Sequence, residues 1–112
     1  MENLKGEFVI KYEEDHAVII LPGEVIISNI AELKEKLQSL CDQGFYMVYL
    51  DCRNLKMFDT SAIVSVGSFN HTFKEKGGQI RFINLQSDYI KYLFRTIALY
   101  KIIEIEGMEE AK

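Results

Sequence analysis

Among its 112 residues the chain has only two cysteines, Cys41 and Cys52, and two histidines, His16 and His71. The cysteines form no C-x-x-C pair and no further ligands stand at recognisable spacing, so no metal site is expected, and the two thiols are expected to be buried and reduced. Long apolar runs are also missing. The longest, Phe45 to Leu50, falls far short of the roughly 20 residues that a membrane helix needs, and no charged-then-apolar signal segment opens the chain. A soluble, cytoplasmic protein without membrane insertion is expected. Positive charge is scarce, with 13 Lys and Arg against 17 Asp and Glu for a net charge of −4. The cations are scattered among acids and form no basic stripe, which disfavours nucleic-acid binding. There is no G-x-S-x-G elbow, no G-x-G-x-x-G and no Walker loop, and Gly77-Gly78 is too short to cradle phosphates. Internal repeats and low-complexity segments are absent as well.

What is there is apolar residue, 48% of the chain, with seven Phe and six Tyr spread along it. That suffices for one core and one domain over residues 1–112, with the packed part at about 8–105 and a charged tail, 106–112, expected to fray or form weak helix. Phe8 to Tyr12 and Ala17 to Leu21 are β-prone runs separated by Glu13-Glu-Asp-His16, which reads as a hairpin with His16 a solvated turn residue. Pro22-Gly23 breaks the second strand, and Glu24 to Ile27 adds one short extended piece. From Asn29 the period becomes helical: Ile30, Leu33, Leu37, Leu40 and Cys41 share a face, Asn29 and Glu32 fit a capping box, and Gly44 ends the helix. Phe45 to Leu50 is a strand of the kind buried on both faces, with Asp51 at its carboxyl end.

A loop, Cys52 to Phe58, then leads to Asp59-Thr60-Ser61, where Ala62, Val66, Phe69 and Phe73 begin a second helical stripe that Gly77-Gly78 stops. Gln79 to Leu85 is a strand. Ser87-Asp88 can cap a third helix striped by Ile90, Leu93, Phe94 and Ile97, and Tyr100 to Ile105 closes as a last strand. The alternation of strand and helix implies an α/β fold with a largely parallel sheet. In such sheets functional groups collect in loops beyond the carboxyl ends of strands, which singles out Pro22 to Asn29 and Asp51 to Ser61.

Asp59 in front of an apolar helix is, at its simplest, an N-cap followed by two small polar residues. The same position tolerates a phosphoryl group, because helix-start amides and the positive end of the dipole favour an anion there. Nucleophilic catalysis needs a base within reach of the hydroxyl. His71 lies about 15 Å down the same helix by its rise, so no catalytic activity of the chain's own is expected, and no cofactor. Ile26 and Ile27, with Met57 and Phe58, would lie at one end of the sheet, either as an exposed contact patch or, for Phe58 and one isoleucine, as core. Tyr89, Tyr92 and Tyr100 read as ordinary helix packing.

The segment Met47 to Ala62, an apolar strand ending in Asp51 and a short loop leading to Asp59-Thr60-Ser61 at a helix start, resembles the signature of STAS domains, the bacterial anti-sigma factor antagonists. Pro22-Gly23-Glu24-Val25 is similar to that family's Gly-Glu-Leu/Val turn, Lys76-Gly77-Gly78 to its helix-to-strand turn, and Leu99 to Ile103 to its closing segment. The resemblance spans about Phe8 to Ile105. It implies a mixed, mostly parallel sheet of four to five strands with helices packed chiefly on one side. It also implies a binding module whose partner is an anti-sigma factor acting as an ATP-using serine/threonine switch kinase. That partner phosphorylates the hydroxyl after the signature Asp, here Thr60 with Ser61 as alternate, and a phosphatase reverses it, so that partner switching governs sigma-factor-dependent transcription. Asp59, Thr60, Ser61, Phe58, Met57, Glu24, Ile26 and Ile27 would then form the partner-binding surface. The chain departs from the pattern in carrying Thr60 where most antagonists have Ser, Ala62-Ile63 where they have Gly-Leu, and Ile26 where many have Asp. Threonine is more typical of stressosome-type STAS proteins and also occurs in the STAS subunit of bacterial lipid-transport ATPases. A constitutive subunit of either assembly, with no phosphate cycle, is the alternative.

Overall fold

A computed structural model describes residues 6–108. Its elements run β1 (Val9–Tyr12), β2 (Ala17–Ile20), β3 (Glu24–Val25), α1 (Ile30–Asp42), β4 (Met47–Asp51), β5 (Met57–Phe58), α2 (Thr60–Glu75), β6 (Gln79–Ile83), α3 (Asp88–Thr96), a 3-10 turn (Leu99–Lys101) and β7 (Glu104–Ile105). The main sheet has the order β1-β2-β4-β6-β7. β1 joins β2 antiparallel, as a hairpin requires, and every other pair in it is parallel. The fold is thus α/β, with three helices and a mixed, mostly parallel five-stranded sheet.

Strand register shows which face the helices cover. Ala17, Val48 and Ile80 stand side by side, as do Ile19, Leu50 and Phe82, and all six are buried. They meet Leu33, Leu37 and Leu40 of α1, Ala62, Val66 and Phe73 of α2, and Ile90 and Phe94 of α3 in one cluster. The alternate row, with Val18, Tyr49 and Arg81 abreast, stays partly exposed. β4 is accordingly not buried on both faces. Its continuous apolar run reflects a helix-covered face plus Met47 and Tyr49 on an open one. His16 belongs to that open face: it is half-buried, its ring lies 4.9 Å from that of Tyr49, and it is not a fully solvated turn residue.

Four other expectations need correction. Asn29 forms no capping box; its side chain makes no cap bond to α1 and ties the preceding turn instead. The stretch Cys52 to Phe58 is not all loop, since β5 pairs parallel with β3 in a separate two-stranded sheet, Glu24 opposite Met57 and Val25 opposite Phe58. Tyr100 to Ile105 is not one strand: Ala98 turns the chain with a left-handed φ of 55°, the 3-10 turn follows, and only Glu104–Ile105 pairs with β6. In α3 the stripe keeps Ile90 and Phe94 buried and Leu93 partly packed but loses Ile97, which is exposed, and Tyr89 and Tyr92 face solvent, Tyr100 alone of these tyrosines being partly packed.

Past Ile105 the chain still packs. The Glu106 N–H donates to the Phe82 carbonyl at 2.9 Å and Met108 is buried, so the tail is not frayed over 106–108; the rest of the expected tail, 109–112, lies outside the described residues. Cys41 and Cys52 are both buried free thiols, and burial pushes the Cys52 thiol well up. Among the described residues no helix is long and apolar enough to cross a membrane.

One buried polar residue went unnoticed in the sequence. Asn70 of α2 is 2% exposed, donates to the Ile102 carbonyl at 3.1 Å and accepts from the Ile80 N–H at 2.8 Å. It thereby stitches α2 to the start of β6 and to the closing segment, where the ladder leaves backbone groups unpaired.

Candidate functional site

The two loops singled out by the sequence meet beyond the carboxyl ends of β2 and β4. Pairing of β3 with β5 holds them together, extended by the Lys56 and Met57 amides, which both donate to the Gly23 carbonyl at 2.7 and 3.1 Å. The first turns of α1 and α2 thus lie side by side. What fixes this arrangement is apolar: Phe58 is buried, with its ring 5.7 Å from that of Phe82 and 5.3 Å from that of Phe94, both edge-on. Phe58 is therefore core, the second of the two readings its sequence position allowed, and its burial places Asp59 at the start of α2.

Asp59 caps that helix. Its Oδ1 accepts the Ala62 N–H at 3.0 Å and the Ser61 hydroxyl at 2.6 Å, while Oδ2 accepts the Ile27 N–H at 2.8 Å from across the site. Partial burial pushes its carboxyl up, but the bonds from Ser61, Ala62 and Ile27 outweigh this and hold it below the usual carboxylate value. Asn29 secures the turn before α1, accepting the Ile26 N–H and donating to the Glu24 carbonyl, each at 2.8 Å.

Thr60 is exposed, and its hydroxyl makes no hydrogen bond to any described residue. Ser61 differs: it is half-buried and its hydroxyl is committed to Asp59. The exposed apolar residues next to this helix start are Ile27, 72% exposed and tied by its amide to Asp59, Met57, 47% exposed in β5, and Val64, 64% exposed one turn further along α2. Glu24 and Ile26 are half-buried beside them. Val64 was missed in the sequence although a signal was present, since it is an apolar residue off the Ala62-Val66-Phe73 stripe. The remaining suspects lie elsewhere. His71 is exposed further down α2, 3.5 Å from Glu75, and His16 stands at the amino end of β2. Among the described residues no group of side chains could hold a metal ion.

At the end of β4, Asp51 is nearly fully buried. It accepts from the Arg53 amide at 3.0 Å, from the Arg53 guanidinium with a closest distance of 2.5 Å, and from the Asn84 side chain at 3.0 Å. Asn84 has a left-handed φ of 57°, a conformation that Asn tolerates better than most residues. The cluster locks the ends of β4 and β6 together.

The STAS domain family model matches residues 7–110. The chain belongs to the STAS domain family. No curated protein sequence matches it. Among solved structures, it is similar to TM1081 of Thermotoga maritima, described as a candidate anti-sigma factor antagonist, with a TM-score of 0.76 at 15% identity over 88% of this chain and 84% of that one. An anti-sigma factor antagonist from Mycobacterium paratuberculosis superposes with a TM-score of 0.75 at 10% identity, covering 91% and 86% of the two chains. The antagonist SpoIIAA in its unphosphorylated form gives 0.69 at 17% identity, covering 94% and 90%. At such identities the likeness is one of fold: this STAS domain has the fold of the anti-sigma factor antagonists.

Proposed function

We propose that this STAS domain is a cytoplasmic partner-switching protein with no catalysis of its own. The surface formed by Ile27, Met57 and Val64 around Thr60 docks on an anti-sigma factor that is also a serine/threonine kinase, and so releases a sigma factor. In the reverse step the kinase transfers the γ-phosphoryl group of ATP to Thr60 Oγ1, the hydroxyl proton is lost and ADP leaves. A phosphatase restores the hydroxyl. The observation that carries this reading is the contrast between two neighbouring hydroxyls, Thr60 exposed and uncommitted, Ser61 bound to Asp59. The apolar residues around Thr60 suit a protein face, because exposed apolar groups that cluster mark contact sites. The structural neighbour SpoIIAA has been solved in a phosphorylated form, which agrees with a phosphate cycle on this fold. Mass-spectrometric mapping after incubation with the cognate anti-sigma factor kinase and ATP tests the assignment. One phosphate on Thr60 is expected, and modification confined to residues other than Thr60 and Ser61 would overturn it.

A further inference from the structure

Asp59 does more than cap α2. Its second carboxylate oxygen reaches the Ile27 N–H, 32 positions earlier in the chain, at 2.8 Å. Ile27 belongs to the turn between β3 and α1, and its side chain, 72% exposed, lies outside the hydrophobic cluster. Its position on the surface is therefore set by the backbone alone. Asn29 ties the base of that turn through the Ile26 N–H and the Glu24 carbonyl, and the Ile26 carbonyl accepts the amides of Asn29 and Ile30 at 3.0 and 2.9 Å. The outer point of the turn hangs on Asp59.

We infer that Asp59 is the positioning residue that holds Ile27 in the docking surface, and that a phosphate on Thr60 alters that surface by loosening the Asp59–Ile27 bond as well as by adding charge. The inference rests on the docking reading of the Thr60 surface given above. A phosphothreonine brings a charge of about −1.5 to −2 and three strong acceptor oxygens to the residue next to the carboxylate. The two anions repel, and both seek the same donors in the first turn of α2. Asp59 cannot yield in one place only. Oδ1 serves Ser61 and Ala62 while Oδ2 serves Ile27, so a carboxylate that turns from the phosphate disturbs the cap and the Ile27 bond together. The turn then retains its Asn29 anchor and loses its outer one.

Amide hydrogen exchange at Ile27 tests this without any partner. Asp59→Ala should speed exchange at Ile27 by about tenfold to a hundredfold, the range for loss of a hydrogen bond to a charged acceptor, while Ile26, held by Asn29, stays protected. Thr60→Glu and the phosphorylated protein should speed Ile27 severalfold, and Thr60→Ala should not. Because loss of the cap can unfold the start of α2, the decisive comparison uses Asp59→Asn, which retains a good capping residue and removes the charge. On that background Thr60→Glu should produce no further change at Ile27, a non-additivity that a merely structural role of Asp59 would not give. Unchanged Ile27 exchange in both Thr60→Glu and the phosphorylated protein would overturn the inference, as would fully additive effects of the two substitutions. Failure of the docking reading looks different. Ile27→Ala would then keep full affinity for the kinase, which overturns the use of the contact while the exchange data stand.

Discussion

Removing the carboxylate of Asp51 should weaken the fold where the ends of β4 and β6 are held together. Asp51 is 1% exposed and accepts hydrogen bonds from the Arg53 amide and guanidinium and from the Asn84 side chain. Hydrogen bonds to a charged group contribute about 1.5–3 kcal/mol each when buried. The share of the Arg53 guanidinium must be discounted, because that side chain is 52% exposed and regains water when released. The Arg53 amide and the Asn84 side chain remain, and Asp51→Ala is expected to cost about 3 kcal/mol. For a domain of this size that corresponds to a fall of about 10 °C in Tm.

The pH dependence carries the sharper test. Burial pushes the Asp51 carboxyl up, but the bonds from Arg53 and Asn84 and the Arg53 charge outweigh burial, so it lies below its usual value of 3.8. A carboxyl whose pKa is lower folded than unfolded binds more protons in the unfolded chain at acid pH. Its contribution is complete above the unfolded value and disappears as pH falls through that value and on through the folded one. The Tm gap between wild type and Asp51→Ala should therefore be full at pH 6–7 and shrink progressively below about pH 4. Thermal melts of both proteins across that range decide it. A gap under about 3 °C at pH 7, or one that does not shrink in acid, would refute the assignment of Asp51 as a charged lock.

Thr60→Glu should weaken kinase binding about a hundredfold relative to Thr60→Ala, because a charge desolvated at an interface costs several kcal/mol and each 1.4 kcal/mol is tenfold; calorimetric titration of both variants reads this, and equal affinities would point to a constitutive subunit. Asn70→Ala should cost about 2–4 kcal/mol in chemical denaturation, since it leaves the Ile80 amide and the Ile102 carbonyl without the partner they now have. Gly78→Ala should cost about 3 kcal/mol or more by the same measurement, as the added Cβ would run into the Tyr46 carbonyl, a backbone group that cannot swing aside. Ala98→Gly should raise stability by about 1 kcal/mol, seen as a higher Tm, because Ala98 sits at a φ of 55° where glycine carries no steric penalty.

Periodicity, apolar runs and end signals in the sequence were enough to find three helices, the hairpin and the two central strands, although Tyr100 to Ile105 imitated a strand over more residues than pair. Ser87 and Asp59 announced their helices correctly, each accepting an amide three residues on. The linear pattern also marked out the loop residues from Glu24 to Ile27 and from Met57 to Ser61. It could not tell that Asn29 would serve its preceding turn in place of its helix, since both sets of backbone partners lie within five residues of it and only the path of the chain chooses between them. Nor could it decide whether Phe58 is core or contact surface: the parallel pairing of β5 with β3 turns Phe58 to Phe82 and Phe94 and its neighbour Met57 to solvent. Tertiary structure alone also set the bond from Ile27 to Asp59, which joins residues 32 positions apart, and local propensity carries no record of what a folded chain brings alongside.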